Sequence, residues 1–156
     1  MSREKSIQLY QAETLSTQQK KELLKIYNKY FPLSIWSKKY FDTFFSDTKR
    51  CPIGFFLKAG GTYIGLVLGR LNKHDNFFNI NTLLIIPQYQ KKGLGKKLLD
   101  KIIFEIKKNH SVEKISLHFR EQNRLKEFYT NLGFKNHRVD GYYNNGDRKY
   151  YMDIKI

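Results

Sequence analysis

The segment Gln90-Lys91-Lys92-Gly93-Leu94-Gly95 decides how this sequence is interpreted. It joins an apolar stretch, Phe77 to Ile86, to an amphipathic stretch that runs from Gly93 to Lys108. The first pattern predicts a buried strand that ends at Pro87, and the second predicts a helix with its leucines and isoleucines on one side. A strand that leads through a glycine-containing turn into a helix is typical of anion-binding sites.

The glycine-containing turn predicts a diphosphate site. The first amides of a helix have no acceptor within the helix, and the helix dipole adds partial positive charge there. Gly93 and Gly95 let the backbone bring several N–H groups close to a phosphate. Lys91, Lys92 and Lys96 add cations. On these residues alone, a plain turn with solvated lysines remains an alternative.

Two familiar nucleotide loops do not fit the same segment. A Walker A loop requires Ser or Thr after its Gly-Lys pair, whereas Gly95-Lys96 is followed by Lys97. A dinucleotide-binding fingerprint requires a third glycine where this chain has Leu98. The expected ligand is therefore a diphosphate-containing molecule of a class that neither of these two loops binds.

The residues before the loop predict two helices and then a hairpin. Ser16 with Gln19 forms a capping-box pattern, and Pro32 ends the helix that follows. A second short helix is predicted over about Lys38 to Phe45. Two strand-forming runs follow, separated by a Gly-Gly turn signal; they are Ile53–Ala59 and Thr62–Leu71.

The residues after the loop complete an α/β pattern. A strand is predicted over Val112–Phe119, a helix from about Asn123 to Leu132, and two strands around the turn Asn144–Asp147. The predicted order is ααβββαβαββ. This order indicates a mixed central sheet with helices on both faces and one right-handed parallel crossover.

Composition limits the class of protein. With 156 residues, a 40% hydrophobic fraction and no linker or repeat, residues 1–156 are expected to form one domain. No apolar run could span a bilayer, and Met1–Lys5 carries no signal-peptide pattern. Cys51 is the single cysteine, so neither an internal disulfide nor a cysteine-based metal site is expected. We expect a cytoplasmic protein.

The net charge of +15 does not identify a partner. It is compatible with nucleic acid, an anionic surface or a polyphosphate ligand, and also with solvated surface lysines. No helix-turn-helix, zinc or ribonucleoprotein signature accompanies the charge. We therefore do not expect nucleic acid as a partner.

Two blocks together resemble the GNAT acetyltransferase family. The loop Gln90–Gly95 is similar to its Q/R-x-x-G-x-G/A loop, and Asn123 with Phe128-Tyr129 and Leu132-Gly133-Phe134 is similar to its second block. The resemblance implies the GNAT fold, acetyl-CoA as co-substrate and no metal. It also implies a V-shaped opening between the strands predicted at Phe77–Ile86 and Val112–Phe119.

The resemblance carries over a set of cofactor-binding residues. Pantetheine is expected against the backbone of residues 83 to 85, and the diphosphate against the loop. Asn123 is expected to hydrogen-bond the cofactor, although it could instead cap a helix. Tyr129 is expected near the thioester sulfur, although it could be a core residue. The complete set is Leu83, Leu84, Ile85, Gln90, Lys91, Lys92, Gly93, Leu94, Gly95, Lys96, Asn123 and Tyr129.

A closer resemblance points to N-terminal acetyltransferases of the NatE/NatF type. Phe31-Pro32-Leu33 with Tyr40 is similar to the loop that lines their first-residue pocket, commonly for Met, and Gly141-Tyr142-Tyr143 resembles their C-terminal hairpin. The resemblance implies a Met-hydrophobic protein N-terminus as acceptor. The implied substrate-binding residues are Phe31, Pro32, Leu33, Ile35, Asn81, Tyr142 and Tyr143.

The same resemblance implies the catalytic groups His118, Tyr129 and Asn79. His118 is expected to be the general base, because an imidazole pKa near 6.5 suits proton transfer. Asn79 stands where these enzymes place a tyrosine. An amide is not a base, but it can orient a water molecule. Ile35 likewise replaces an aromatic pocket residue.

Other acceptors and roles remain open at this stage. An α-amine has a pKa of about 7.7–8.0 against about 10.4 for lysine, which permits a protein N-terminus but does not select it. The alternatives are a small-molecule amine, a lysine side chain, or a non-catalytic module that binds CoA. Expected partners are acetyl-CoA and a peptide or protein N-terminus, with an auxiliary subunit or the ribosome as further candidates.

Overall fold

The structure is a computed structural model that describes residues 6–72 and 74–156. Met1–Lys5, on which the signal-peptide expectation and the start of the predicted domain fall, lie outside the described residues. Within the described ranges no helix is long and apolar enough to cross a membrane.

The elements follow the predicted order, with one additional strand at the start. In chain order they are β1 (Ile7–Gln11), α1 (Thr17–Tyr30), α2 (Lys38–Ser46), β2 (Ile53–Ala59), β3 (Thr62–Leu71), β4 (Phe77–Ile85), α3 (Leu94–Asn109), β5 (Lys114–Arg120), α4 (Lys126–Asn131), β6 (Lys135–Tyr142) and β7 (Arg148–Lys155).

The strands form one mixed sheet in the order β1-β2-β3-β4-β5-β7-β6. The pair β4–β5 is parallel, and the other neighbouring pairs are antiparallel. The core that includes Ile102 of α3 lies on one face, and the core that includes Leu23 of α1 and Phe41 of α2 lies on the other. The predicted α/β class, with a mixed sheet and helices on both faces, is confirmed.

Strands β4 and β5 separate partway along their length. Their pairing runs from Phe77 with Lys114 to Ile80 with Leu117 and then ends. Strand β4 nevertheless stays paired with β3 as far as Ile85. Asn81 has no partner in that pairing and forms a bulge. Beyond Ile80, β4 therefore presents an edge without a described strand partner, and the predicted V-shaped opening lies there.

Helix α1 ends as the sequence predicts and thereby sets the start of a loop. Ser16 and Gln19 form both hydrogen bonds of the capping box. The helix ends at Tyr30 because Pro32 disfavours helical geometry in the residue before it. Asn28 of α1 then holds the loop that leads to α2. Its side chain accepts a hydrogen bond from the Trp36 amide at 2.9 Å and donates one to the Trp36 carbonyl at 3.0 Å.

Helix α4 starts later than predicted. The sequence prediction placed its beginning near Asn123, but the helix begins at Lys126. Arg124 adopts a left-handed conformation with φ 51°, which interrupts the helical path after a short 3-10 turn. Asn123 therefore does not cap α4, and the capping interpretation of this residue is wrong.

Candidate active site

A cleft of about 480 Å³ lies at the opening between β4 and β5. Its walls come from the end of β4, the start of α3 and the segment around α4. The cleft is lined by Tyr30, Phe31, Leu83, Leu84, Ile85, Pro87, Tyr89, Gln90, Lys91, Gly93, Leu94, Gly95, Lys96, Asn123, Leu125, Phe128 and Tyr129. The structure thus brings together every residue of the predicted cofactor set except Lys92.

The turn before α3 has the conformation that an anion site requires. Gly93 caps the helix with φ 77°, and no side chain caps it. The Lys97 amide donates to the Gly93 carbonyl at 3.1 Å, so the amides of Leu94, Gly95 and Lys96 have no acceptor within the helix. The Gln90 side chain donates to the Ile85 carbonyl at 2.8 Å and holds the turn against the end of β4.

Two of the predicted lysines are engaged by neighbours. The ammonium of Lys96 forms an ion pair with Asp100 at 2.5 Å on the exposed surface of α3. The ammonium of Lys92 lies 5.2 Å from the ring centre of Tyr89 and does not reach the cleft lining. Lys92 is therefore not part of the cleft wall, because its side chain packs on an aromatic ring instead.

A second pocket of about 380 Å³ opens beside the first. It is lined by Tyr27, Tyr30, Phe31, Pro32, Leu33, Ser34, Trp36, Asn81, Thr82, Leu83, His118, Phe119, Arg120, Gln122, Asn123, Leu125, Tyr129 and Tyr143. Both cavities share Tyr30, Phe31, Leu83, Asn123, Leu125 and Tyr129. A ligand in the cleft and a ligand in the pocket can therefore meet at this shared wall.

Besides Lys92, three predicted site residues line neither cavity. The side chain of Ile35 is 66% exposed on the loop between α1 and α2, and Tyr142 is 70% exposed at the end of β6. Asn79 accepts a hydrogen bond from the Ser116 hydroxyl at 3.3 Å within the sheet. None of these three residues therefore contributes to the lining of either cavity.

His118 lines the pocket from β5 and contacts a carboxylate. Its Nε2 lies 2.7 Å from Oδ2 of Asp140 on β6. Burial lowers the pKa of His118 below its usual value, although the hydrogen bond to Asp140 acts in the opposite direction. That hydrogen bond lowers the pKa of Asp140. At neutral pH the pair is therefore a neutral imidazole beside a carboxylate, and the sequence analysis missed Asp140.

Tyr129 borders both cavities from α4. Its ring packs against Phe119, Phe128 and Phe134, with ring centres 5.1 to 5.6 Å apart. Burial raises the pKa of Tyr129 well above its usual value. The phenol is therefore uncharged at physiological pH and can serve only as a neutral donor or acceptor of hydrogen bonds.

Arg120 joins the two loops that flank the pocket, and the sequence analysis missed it as well. Its guanidinium donates to the Leu33 carbonyl at 2.7 Å and to the Ser34 hydroxyl at 3.1 Å on one side. On the other side it contacts the β6–β7 turn, with Asn145 at 3.1 Å and Asp147 at 3.4 Å. The guanidinium also lies over the ring of Tyr143, 3.8 Å from the ring centre.

Replacing Arg120 with lysine should loosen the smaller pocket, which Arg120 lines, and leave the larger cleft intact. An ammonium cannot reproduce a planar fork that reaches both loops. We expect the KM for the acceptor to rise roughly tenfold, in line with the loss of about one charged hydrogen bond. The measurement is steady-state kinetics together with an acetyl-CoA titration. Arg148→Lys, which alters an exposed arginine beside the β6–β7 turn, is the control. An unchanged KM in Arg120→Lys would contradict the proposed role of Arg120.

Neither cavity is lined by a carboxylate. Two acidic side chains contact lining residues from outside: Asp140 contacts His118, and Asp147 contacts Arg120. Within residues 6–72 and 74–156, no group of three or more His, Cys, Asp or Glu side chains is arranged to hold a metal ion. The described lining of the smaller pocket thus carries no negative charge.

A protein-family model described as the acetyltransferase (GNAT) family matches residues 20–134. The alanine N-acetyltransferase of ribosomal protein bS18 from Haemophilus influenzae is 34% identical over 84 residues, which are 48% of this chain and 57% of that protein. The catalytic subunit NAA10 of the N-terminal acetyltransferase A complex from Arabidopsis thaliana is 31% identical over 97 residues, 59% of this chain and 50% of that protein.

The chain thus spans about half the length of these curated relatives. The crystal structure of Arabidopsis thaliana NAA60 in complex with acetyl-CoA has a TM-score of 0.77 to this structure. The match covers 97% of this chain and 99% of that chain at 15% identity. At that identity the likeness concerns the fold.

Proposed function

This chain belongs to the GNAT acetyltransferase family, and from that premise we propose that it transfers the acetyl group of acetyl-CoA to the α-amine of a protein N-terminus. The observation that carries this proposal is an acceptor pocket with aromatic and aliphatic walls that meets the cofactor cleft at Tyr129 and Asn123. We further propose that residues 1–156 act as one catalytic domain.

In this proposal acetyl-CoA occupies the larger cleft. The diphosphate binds the amides at the start of α3, which have no acceptor within the helix. The pantetheine arm lies along the β5-facing edge of β4 beside residues 83 to 85, where β4 lacks a strand partner. This path directs the thioester toward Tyr129, which borders both cavities.

The first side chain of the acceptor peptide occupies the smaller pocket. Its walls include Phe31, Pro32, Leu33 and Trp36, which suit an apolar side chain such as Met. The absence of a lining carboxylate disfavours polyamines, which carry several positive charges. One curated relative is named as an alanine N-acetyltransferase of a ribosomal protein and the other as the catalytic subunit of an N-terminal acetyltransferase complex, and these names support an α-amine as the acceptor.

His118 is the general base of the proposed reaction. The neutral imidazole accepts a proton from the ammonium form of the acceptor, directly or through one water molecule. The amine nitrogen then attacks the thioester carbonyl carbon and the carbon–sulfur bond breaks. The second proton, which the nitrogen loses as it becomes an amide, is taken up by the departing CoA thiolate. The phenol of Tyr129 donates a hydrogen bond to the departing sulfur, because its raised pKa keeps it protonated.

A panel of acceptors tests this proposal. The purified protein is incubated with acetyl-CoA and peptides that begin with Met-Leu, Ala or Ser, with the same peptides blocked at the α-amine but carrying a free lysine, and with spermidine. We expect acetylation of Met-Leu peptides at the α-amine, located by mass spectrometry. Modification of the blocked peptides or of spermidine alone would overturn the α-amine assignment. A preference for Ala peptides would overturn only the Met-type pocket.

A further inference from the structure

Asp140 reaches His118 across an intervening strand. Strand β7 lies between β5 and β6, so the two side chains belong to strands that do not pair with each other. His118 is opposite Tyr151 of β7, and Tyr151 is opposite Arg138 of β6. The imidazole lies edge-on to the Tyr151 ring. Its Nε2 lies 2.7 Å from Oδ2 of Asp140.

We propose that Asp140 is a positioning residue that fixes the His118 ring through Nε2 and thereby makes Nδ1 the atom that accepts the proton of the acceptor amine. This inference rests on the proposed role of His118 as general base. It further identifies which ring nitrogen carries the proton, which ring nitrogen reacts, and which residue selects between them.

The chemistry of the pair determines which nitrogen carries the proton. A carboxylate only accepts hydrogen bonds, and a neutral imidazole has one N–H donor and one lone pair. At 2.7 Å from Asp140, Nε2 must be the donor. The lone pair then belongs to Nδ1, and His118 lines the acceptor pocket. A ring without this partner could rotate or change tautomer.

The charges around His118 make Asp140 important when the ring is protonated. Arg138 on β6, Lys149 on β7 and Arg120 on β5 are cationic, and Tyr151 on β7 and Tyr27 on α1 are uncharged. Lys149 and Arg138 disfavour an imidazolium ion, whereas Asp140 stabilises it. As Nδ1 takes the proton, the freed amine lone pair forms the new carbon–nitrogen bond while the carbon–sulfur bond breaks.

Asp140→Asn tests the inference, because it keeps the size of the side chain and removes its charge. In the free protein, long-range ¹H–¹⁵N NMR of the imidazole should show the Nε2–H tautomer for the natural sequence. In the variant the pKa of His118 should fall, since the stabilising carboxylate is gone. The kcat should fall by about tenfold or more, the acid limb of the pH profile should move to lower pH with that pKa, and acetyl-CoA affinity should stay unchanged.

Asp75→Asn, at an exposed loop position that lines neither cavity, is the matched control and should behave like the natural sequence. An unchanged tautomer, pKa and kcat in Asp140→Asn, with His118→Ala inactive, would overturn this inference and leave the base assignment standing. Full activity of His118→Ala would instead overturn the base assignment. The NMR tautomer does not depend on turnover, so it distinguishes the two failures.

Discussion

Replacing Gly95 with leucine should weaken acetyl-CoA binding by at least about 100-fold. A Cβ at this position would lie 3.1 Å from Cζ of Phe128 and 3.9 Å from Cγ1 of Ile85. The remainder of a leucine side chain would extend into the cleft between α3 and α4. It would keep the diphosphate away from the helix amides, and each charge-assisted hydrogen bond lost costs about 1.5–3 kcal/mol. Isothermal titration with acetyl-CoA measures the effect.

The Gly95→Leu variant should still fold. Glycine inside a helix costs about 0.5–1 kcal/mol relative to alanine, so the substitution partly offsets its own crowding. Gly61→Leu is the matched control, because a Cβ there has no neighbour within 4 Å and the residue lies outside both cavities. A Gly95→Leu protein that retains its thermal transition and binds acetyl-CoA with unchanged affinity would refute the loop as the diphosphate site.

Replacing His118 with alanine should lower kcat by about 100-fold or more, since general bases typically contribute factors of about 10² to 10⁴. The affinity for acetyl-CoA should not change, because His118 lines the acceptor pocket and not the cofactor cleft. His74→Ala, which removes an exposed histidine of the β3–β4 connection, should have no effect. Near-normal turnover of His118→Ala would exclude the imidazole as the base.

The pH profile supplies a second measurement on the same residue. Burial lowers the pKa of His118. The imidazole is therefore neutral, and able to accept a proton, throughout the neutral pH range. It becomes protonated only at a pH below the usual histidine pKa. Activity of the natural sequence should therefore fall at acid pH, with a midpoint below about 6.5. In His118→Ala this limb should be absent. A limb that persists in the variant would assign the titration to another group.

Local signals predicted most of the fold. Ser16 with Gln19, Pro32 and the Gly60-Gly61 turn each mark a boundary through chemistry that acts within a few residues, and the structure has those boundaries. Strand β1 was not predicted, because Ile7–Gln11 is short and contains two glutamines. Its pairing with β2, from Ile7 with Ala59 to Gln11 with Phe55, makes it a strand, and no local pattern encodes that pairing.

The parts of the site that lie in one continuous segment were predictable from the sequence. The parts that form where segments distant in sequence come into contact were not. The loop from Gln90 to Gly95 holds its chemistry in consecutive residues. Asp140 is 22 residues from His118, and their contact depends on the sheet order. Asn79 lies where β4 is still paired with β5, opposite Ser116, and therefore lines neither cavity; this pairing too depends on the sheet and not on local sequence.

The separation of β4 from β5 has a consequence for the resistance of the protein to unfolding. Beyond Ile80, β4 has a described strand neighbour on one side only, and its other edge exposes amides and carbonyls that elsewhere in a sheet are satisfied by polypeptide. In the bound state that we propose, a metabolite completes this hydrogen-bonding row. Ligands that bind only the native state raise stability with their concentration. Bound acetyl-CoA would then complete the hydrogen bonding of the sheet, and the lifetime of the folded protein in a cell would depend on the concentration of acetyl-CoA.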